Sequence, residues 1–120
     1  MRNLLLSVAA LALLLTACAK PVPLAKADYV GEWRSQTMAL LITPDGSVVY
    51  KRLEGGMSTS VQGPLQGFDG NNFSVGIGPV KTTFVVSTPP HEAQGGWKMV
   101  VDGVELTRVE EEAATAAIQG

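Results

Sequence analysis

The feature that most narrows the folds open to this chain is its punctuation. Three Asp-Gly dipeptides, Asp45-Gly46, Asp69-Gly70 and Asp102-Gly103, each separate two β-rich runs. Asp-Gly between apolar runs is a strong hairpin signal, because both central residues of a type I′ turn need positive φ. From residue 28 to 109 no window repeats its apolar residues with the helical period. Short runs rich in Val, Thr, Tyr and Phe alternate instead with clusters of Gly, Pro, Asn and Asp. The expected fold is all-β, a small antiparallel meander barrel or sandwich of about eight strands.

The last hairpin can be read to the level of register. With Asp102-Gly103 as a two-residue turn, Val101 faces Val104, Met99 faces Leu106 and Trp97 faces Arg108, all on one side. Lys98, Val100, Glu105 and Thr107 take the other side. One side is apolar and the other mostly polar, so burial specifies the pairing. The same construction at Asp45-Gly46 sets Ile42 opposite Val49, Leu40 opposite Lys51 and Met38 opposite Leu53. Large apolar groups then fall on both sides, so either both are partly covered or the turn is longer. Phe68 to Phe73 reads as a hairpin with a four-residue tip, and Lys81 to Ser87 as one further strand. Thr88 to Gly96, with Pro89-Pro90 and Gly95-Gly96, reads as the longest loop. Gly76 and Gly78, alternating with Val75 and Ile77, mark the bulges or coiling that a small barrel requires.

Before the β-region, Arg2 precedes an uncharged run from Leu4 to Ala19 of 16 residues. That is short of the roughly 20 needed to span a bilayer, and it reads as a cleaved signal helix. Its end, Leu15-Thr16-Ala17-Cys18, resembles the lipobox of bacterial lipoproteins: a branched apolar residue, two small ones, then cysteine. The resemblance implies cleavage before Cys18, a diacylglycerol on its sulfur and an N-acyl lipid on the new amino group. No other cofactor is expected. Enteric lipoproteins kept in the inner membrane typically carry Asp after the cysteine. With Ala19 there, the chain resembles the class sent to the outer membrane, which implies a lipid-anchored protein of the bacterial cell envelope facing the periplasm. Each buried methylene of an acyl chain adds about 0.8 kcal/mol, so two or three chains hold a protein firmly. Cys18 is the only cysteine, so its modification leaves no thiol for disulfides, thiolate catalysis or metal ligation.

The expected organisation is a signal peptide at 1–17, a lipid-anchored Pro-rich linker at 18–27, the β-domain at 28–109 and a flexible or short helical tail at 110–120. Pro21-x-Pro23 favours extended polyproline II in the linker, and a helix as short as the Glu-Ala tail is marginal in water. Loss of Arg2 leaves 8 basic and 11 acidic residues. With no basic stripe among them, nucleic acid is excluded as a partner.

Gly31-Glu32-Trp33 near the start of the β-domain and Arg108 near its end resemble the calycin group, the lipocalins and their relatives. There a Gly-x-Trp packs beneath a late Arg and closes the barrel floor. The resemblance implies an antiparallel barrel able to hold a small apolar ligand. Its mouth would lie near Trp33, Phe84 and Trp97, with Arg108 beside them. Read from the residues alone, Trp33 and Trp97 are core anchors, and an Arg over a Trp face contributes about 0.5–2 kcal/mol.

Catalysis lacks a competent constellation. His91 is the only histidine and stands beside Glu92, and Ser87 lies in no Gly-x-Ser-x-Gly turn. Asp45, Asp69 and Asp102 are accounted for by turns, and no His/Cys cluster supplies a metal site. The sequence therefore reads as a non-enzymatic lipid-anchored protein whose β-domain binds another envelope component. The sheet edges and residues 88–96 are the expected contact surfaces. The alternatives are a lipocalin-like carrier of a small apolar ligand and, more remotely, an enzyme using His91 and Glu92.

Overall fold

A computed structural model describes residues 20–109; the signal segment, Cys18 and the tail from residue 110 lie outside it. The described chain is all-β with a single short 3-10 helix, Leu24–Tyr29. Its strands are β1 (Gly31–Arg34), β2 (Met38–Ile42), β3 (Ser47–Glu54), β4 (Met57–Asp69), β5 (Asn72–Ile77), β6 (Val80–Phe84), β7 (Val86–Ala93), β8 (Gly96–Val101) and β9 (Val104–Arg108). They form one curled antiparallel sheet, a half-barrel, in the order β6-β5-β4-β3-β2-β1-β9-β8-β7. Only the β1–β9 pair joins strands that are distant in sequence.

Turn chemistry decides the register of each hairpin. At β8–β9, Val101 pairs with Val104, Met99 with Leu106 and Lys98 with Thr107, as the two-residue turn requires. Asp102 and Gly103 have φ of 48° and 81°, the type I′ pattern. At β2–β3 the turn is one residue longer. Leu40 pairs with Tyr50 and Ile42 with Val48, while the Thr43 amide bonds to Ser47 O at 3.0 Å and the Gly46 amide to Thr43 O at 3.0 Å. Pro44-Asp45-Gly46 is thus a three-residue loop with Gly46 at φ 93°, a type I turn closed by a left-handed glycine. The shift by one residue resolves the two-sided apolar pattern. Met38, Leu40, Ile42, Val48 and Tyr50 all enter the core, and Leu41 turns outward. The middle hairpin is tighter than expected, because Asp69 pairs with Asn72 and leaves only Gly70-Asn71 at the tip.

Two further departures come from sheet edges and corners. The expected single strand Lys81 to Ser87 breaks at Val85, so β6 and β7 occupy opposite edges of the sheet. The expected loop Thr88 to Gly96 is mostly strand. β7 runs through Pro89 and Pro90, with register shifts on both sides of Thr88. An edge strand pairs on one side only, so it tolerates prolines that an interior strand would not. β4 spans both halves of the sheet, pairing with β3 as far as Pro64 and with β5 from Leu65, and a bulge before Gly67 bends it.

The core is the inner face of the curled sheet. Trp33, Val48, Met99, Val101 and Leu106 have no exposed surface, and burying a large apolar side chain contributes about 1.5–3 kcal/mol. An aromatic row runs through it. Phe84 packs edge-on to Tyr50 at 4.8 Å and stacks on Phe73 at 5.0 Å, and Tyr29 meets Phe73 at 6.2 Å and Phe68 at 5.0 Å.

The Pro-rich segment touches the β-domain at Val22 and Lys26. The Val22 amide bonds to Pro44 O at 3.1 Å, and Val22 packs on the core. Lys26 Nζ donates to Gly70 O at 2.8 Å, and the expected boundary at Ala27 falls inside the 3-10 helix.

Asp102 does more than turn the chain. Its Oδ1 accepts from the Val85 amide at 2.9 Å, and its own amide donates to Val85 O at 2.8 Å. Asp102→Ala removes the side-chain acceptor and places a less tolerant residue at positive φ, and it is expected to cost about 1–2 kcal/mol. Asp102→Asn keeps both features and should lie within about 0.5 kcal/mol of wild type. Urea unfolding midpoints for the two variants check this.

Candidate functional site

The ladders place two structures at opposite ends of the β1–β2–β3 ribbon. At the near end, Gly31 (φ 141°) lies under the Arg108 stem, and a Cβ there would stand 2.9 Å from Arg108 Cδ. The guanidinium carbon sits 5.5 Å from the Trp33 ring centre and 4.6 Å from that of Trp97, and Nη1 donates to Asp28 O at 3.4 Å. Beneath it, Trp33 Nε1 donates to Tyr29 O at 2.9 Å, and Tyr29 Oη donates to Asn71 O at 2.8 Å. The 3-10 helix is thereby fastened across this end. Every polar atom named has a partner, and Trp33 is fully buried. This end of the half-barrel is packed and hydrogen-bonded rather than open.

The opposite end is open. Between the loop Ser35-Gln36-Thr37 and the outer face of β2–β3–β4 lies a groove of about 380 Å³, lined by Arg34, Thr37, Ala39, Lys51, Leu53 and Ser60 among others. A second hollow of about 190 Å³ shares Arg34, Ala39 and Lys51 and continues to Leu41 and Val49. The hollow exists because short side chains meet in register: Arg34 pairs with Ala39, Ala39 with Lys51, and Lys51 with Ser60. The loop wall is fixed. Ser35 Oγ accepts from the amides of Thr37 at 3.2 Å and Met38 at 3.0 Å, and Thr37 O accepts from the Leu53 amide at 2.8 Å.

The groove is cationic. Arg34 is held by Glu32, whose Oε1 accepts from Nε at 2.8 Å and from Nη2 at 2.5 Å. Arg52 lies 3.8 Å from Glu54, and the neighbouring Tyr50 hydroxyl, then the Glu54 carboxylate, raise its pKa further. Among the described residues Lys51 forms no ion pair. Apolar groups flank these charges: Leu53 is 59% exposed and Leu41 39%.

Of the four residues singled out as ligand-binding, the structure brings Trp33, Trp97 and Arg108 together. Phe84 belongs instead to the aromatic row with Tyr50 and Phe73. Trp33 and Phe84 are core residues with 0% and 1% exposure. His91 and Glu92 lie exposed on edge strand β7, paired across the ladder with Lys98 and Trp97. His91 Nδ1 sits 3.0 Å from Pro89 O. Cys18 lies outside the described residues. Sequence reasoning missed the open groove because the two-residue turn at Asp45-Gly46 put Lys51 opposite Leu40. Reading Pro44-Asp45-Gly46 as a three-residue loop would have aligned the row.

Among protein-family models, curated proteins and solved structures, none matches the chain.

The near end carries a pH signature. Burial raises the Tyr29 hydroxyl above the ordinary value of 10.0, so the folded state favours the neutral phenol. That stability is fully present below pH 10 and is lost as pH rises through the raised value. Tyr29→Phe should flatten the alkaline decline, as read from urea stability at pH steps from about 8 to 11. Independently, Arg108→Ala should cost about 1–3 kcal/mol through lost packing and cation–π contact. Arg108→Lys should recover part of it, with near-UV circular dichroism reporting the two indoles.

Proposed function

We propose that this chain is a non-catalytic, lipid-anchored lipoprotein of the bacterial envelope, held at the outer membrane and facing the periplasm, whose β-domain docks another envelope component through the open groove. The supporting observation is the placement of the described amino-terminal segment. Lys20 O lies where a Cβ on Gly46 would stand, and Val22 is bonded to Pro44, so the chain enters at the near end. Cys18 is two residues earlier. A lipid there would hold the sealed end toward the membrane and present the groove away from it. β3 runs from that end, at Ser47, to Glu54 beside the groove, about 23 Å at 3.3 Å per residue.

The enzyme alternative would use His91 and Glu92, which lie exposed on edge strand β7 opposite Lys98 and Trp97. A second reading, a calycin-like carrier of a small apolar ligand, draws support from the meeting of Gly31, Trp33 and Arg108. Against it, Trp33, Phe73 and Phe84 fill the interior at 0–1% exposure. A saturable change of tryptophan fluorescence with a fatty-acid probe would restore the carrier.

The docking reading is tested by photoreactive residues placed one at a time at Thr37, Leu53 and Ser58, with Leu24 as the near-end control. Specific adducts in the envelope are expected from the groove positions and not from Leu24. Absence of an adduct from every groove position removes the reading. For the anchor, Cys18→Ala should abolish the lipid mass and leave the precursor uncleaved, as seen by intact-protein mass spectrometry.

A further inference from the structure

The two hollows form one track along the outer face of β3, and their chemistry is ordered. Val49, Lys51 and Leu53 are alternate residues of that strand, so their side chains stand about 7 Å apart on one face. Leu41 pairs with Val49, and the Arg34–Ala39–Lys51 row crosses the track at its centre. The sequence of surfaces is apolar, cationic, apolar. An extended peptide repeats its side chains on one face with the same two-residue period.

We infer that the groove receives an extended segment of a partner protein in which one acidic residue is flanked, two positions away on each side, by large apolar residues. The inference rests on the docking reading and specifies its partner. The acidic side chain lies between Lys51 and Arg34, and the apolar ones cover Leu41 with Val49 and Leu53. Charge selects the occupant. Of the cations lining the two hollows, Arg34 is paired with Glu32 and Arg52 lies 3.8 Å from Glu54, so Lys51 at the centre of the track is the cation left without an ion pair among the described residues. The chain as a whole carries a net charge of −2, so a cationic centre on this track gives an acidic segment a local attraction that the bulk of the chain does not. Exposed Leu53 and Leu41 explain why a free anion would satisfy only the middle of the site.

The test uses the full chain in detergent and three synthetic peptides. The first contains Leu-Ser-Glu-Ser-Leu between Gly-Ser ends, the second replaces Glu by Gln, and the third rearranges the same residues as Leu-Leu-Glu-Ser-Ser. Amide shifts of Ala39, Lys51 and Leu53 are followed by NMR. Saturable shifts are expected with the first peptide, and binding about tenfold weaker with the other two and with the Lys51→Glu variant. Leu53→Ser should also weaken the first peptide, and both substituted positions are exposed, so the fold is retained. Equal binding of the rearranged peptide, or no binding of any peptide, overturns the inference. The same shifts produced by inorganic phosphate alone make the site a simple anion site and overturn it too. Shifts on raising the protein concentration without peptide make a second copy the occupant, with the same consequence. Should Leu53 crosslink a partner while no peptide binds, docking stands and the acidic segment falls.

Discussion

The two edge strands of this meander are joined end to end by one residue, and no backbone ladder runs between them. β6 and β7 are consecutive in sequence, linked through Val85, yet stand at opposite edges. Side chains supply the closure. Phe84, the last residue of β6, carries the aromatic row across the inner face, stacking on Phe73 of β5 and meeting Tyr50 of β3 edge-on. Aromatic pairs of this kind contribute about 0.5–1.5 kcal/mol each beyond their buried area. The linking backbone is clipped as well. Asp102 takes both polar groups of Val85, and Asn72 Oδ1 accepts from the Val86 amide at 2.8 Å. Each clip comes from a hairpin turn or its first flanking residue, so turn residues serve register and closure together.

The same economy governs the near end. Tyr29 belongs to the aromatic row through its ring, to the 3-10 helix through its backbone and to the β4–β5 turn through its hydroxyl. Trp33 of β1 donates to the Tyr29 carbonyl and Arg108 of β9 lies over the Trp33 ring, so the contact continues onto the one strand pair distant in sequence. With these groups satisfied, little at this end is left to recognise a ligand. The outer face near the β3–β4 tip differs, because Lys51 and Leu53 there have neither ion-pair partner nor cover among the described residues.

Where several physical signals coincide, the sequence could be read to single residues. At β8–β9, turn chemistry and one-sided burial demand the same register, and Met99 does face Leu106. At β2–β3 they conflict under a two-residue turn, and the apolar pattern on both sides was the sign that the loop held a further residue. Pro89-Pro90 misled for a different reason. Proline forbids an interior strand but not an edge, and edge position is a property of the whole sheet. The Trp33–Arg108 contact was legible because bulk and charge fix what such residues do anywhere. The groove was not, since it depends on Arg34, Ala39, Lys51 and Ser60 aligning across four strands, and each is unremarkable alone.

Filling the interior with aromatic rings has a consequence for where recognition can occur. A half-barrel of this size has one inner face, and here Trp33, Phe73, Phe84 and Leu106 occupy it at 0–1% exposure. Removing any one would open a cavity at a cost of about 2–5 kcal/mol, a large part of the stability of a small domain. Evolution of a ligand chamber inside would therefore compete directly with folding. The outer face carries no such conflict. Exchanging Lys51 or Leu53 changes charge and shape at exposed positions while leaving the aromatic row untouched. A fold closed by its core side chains is thus driven to place its variable chemistry on the back of the sheet.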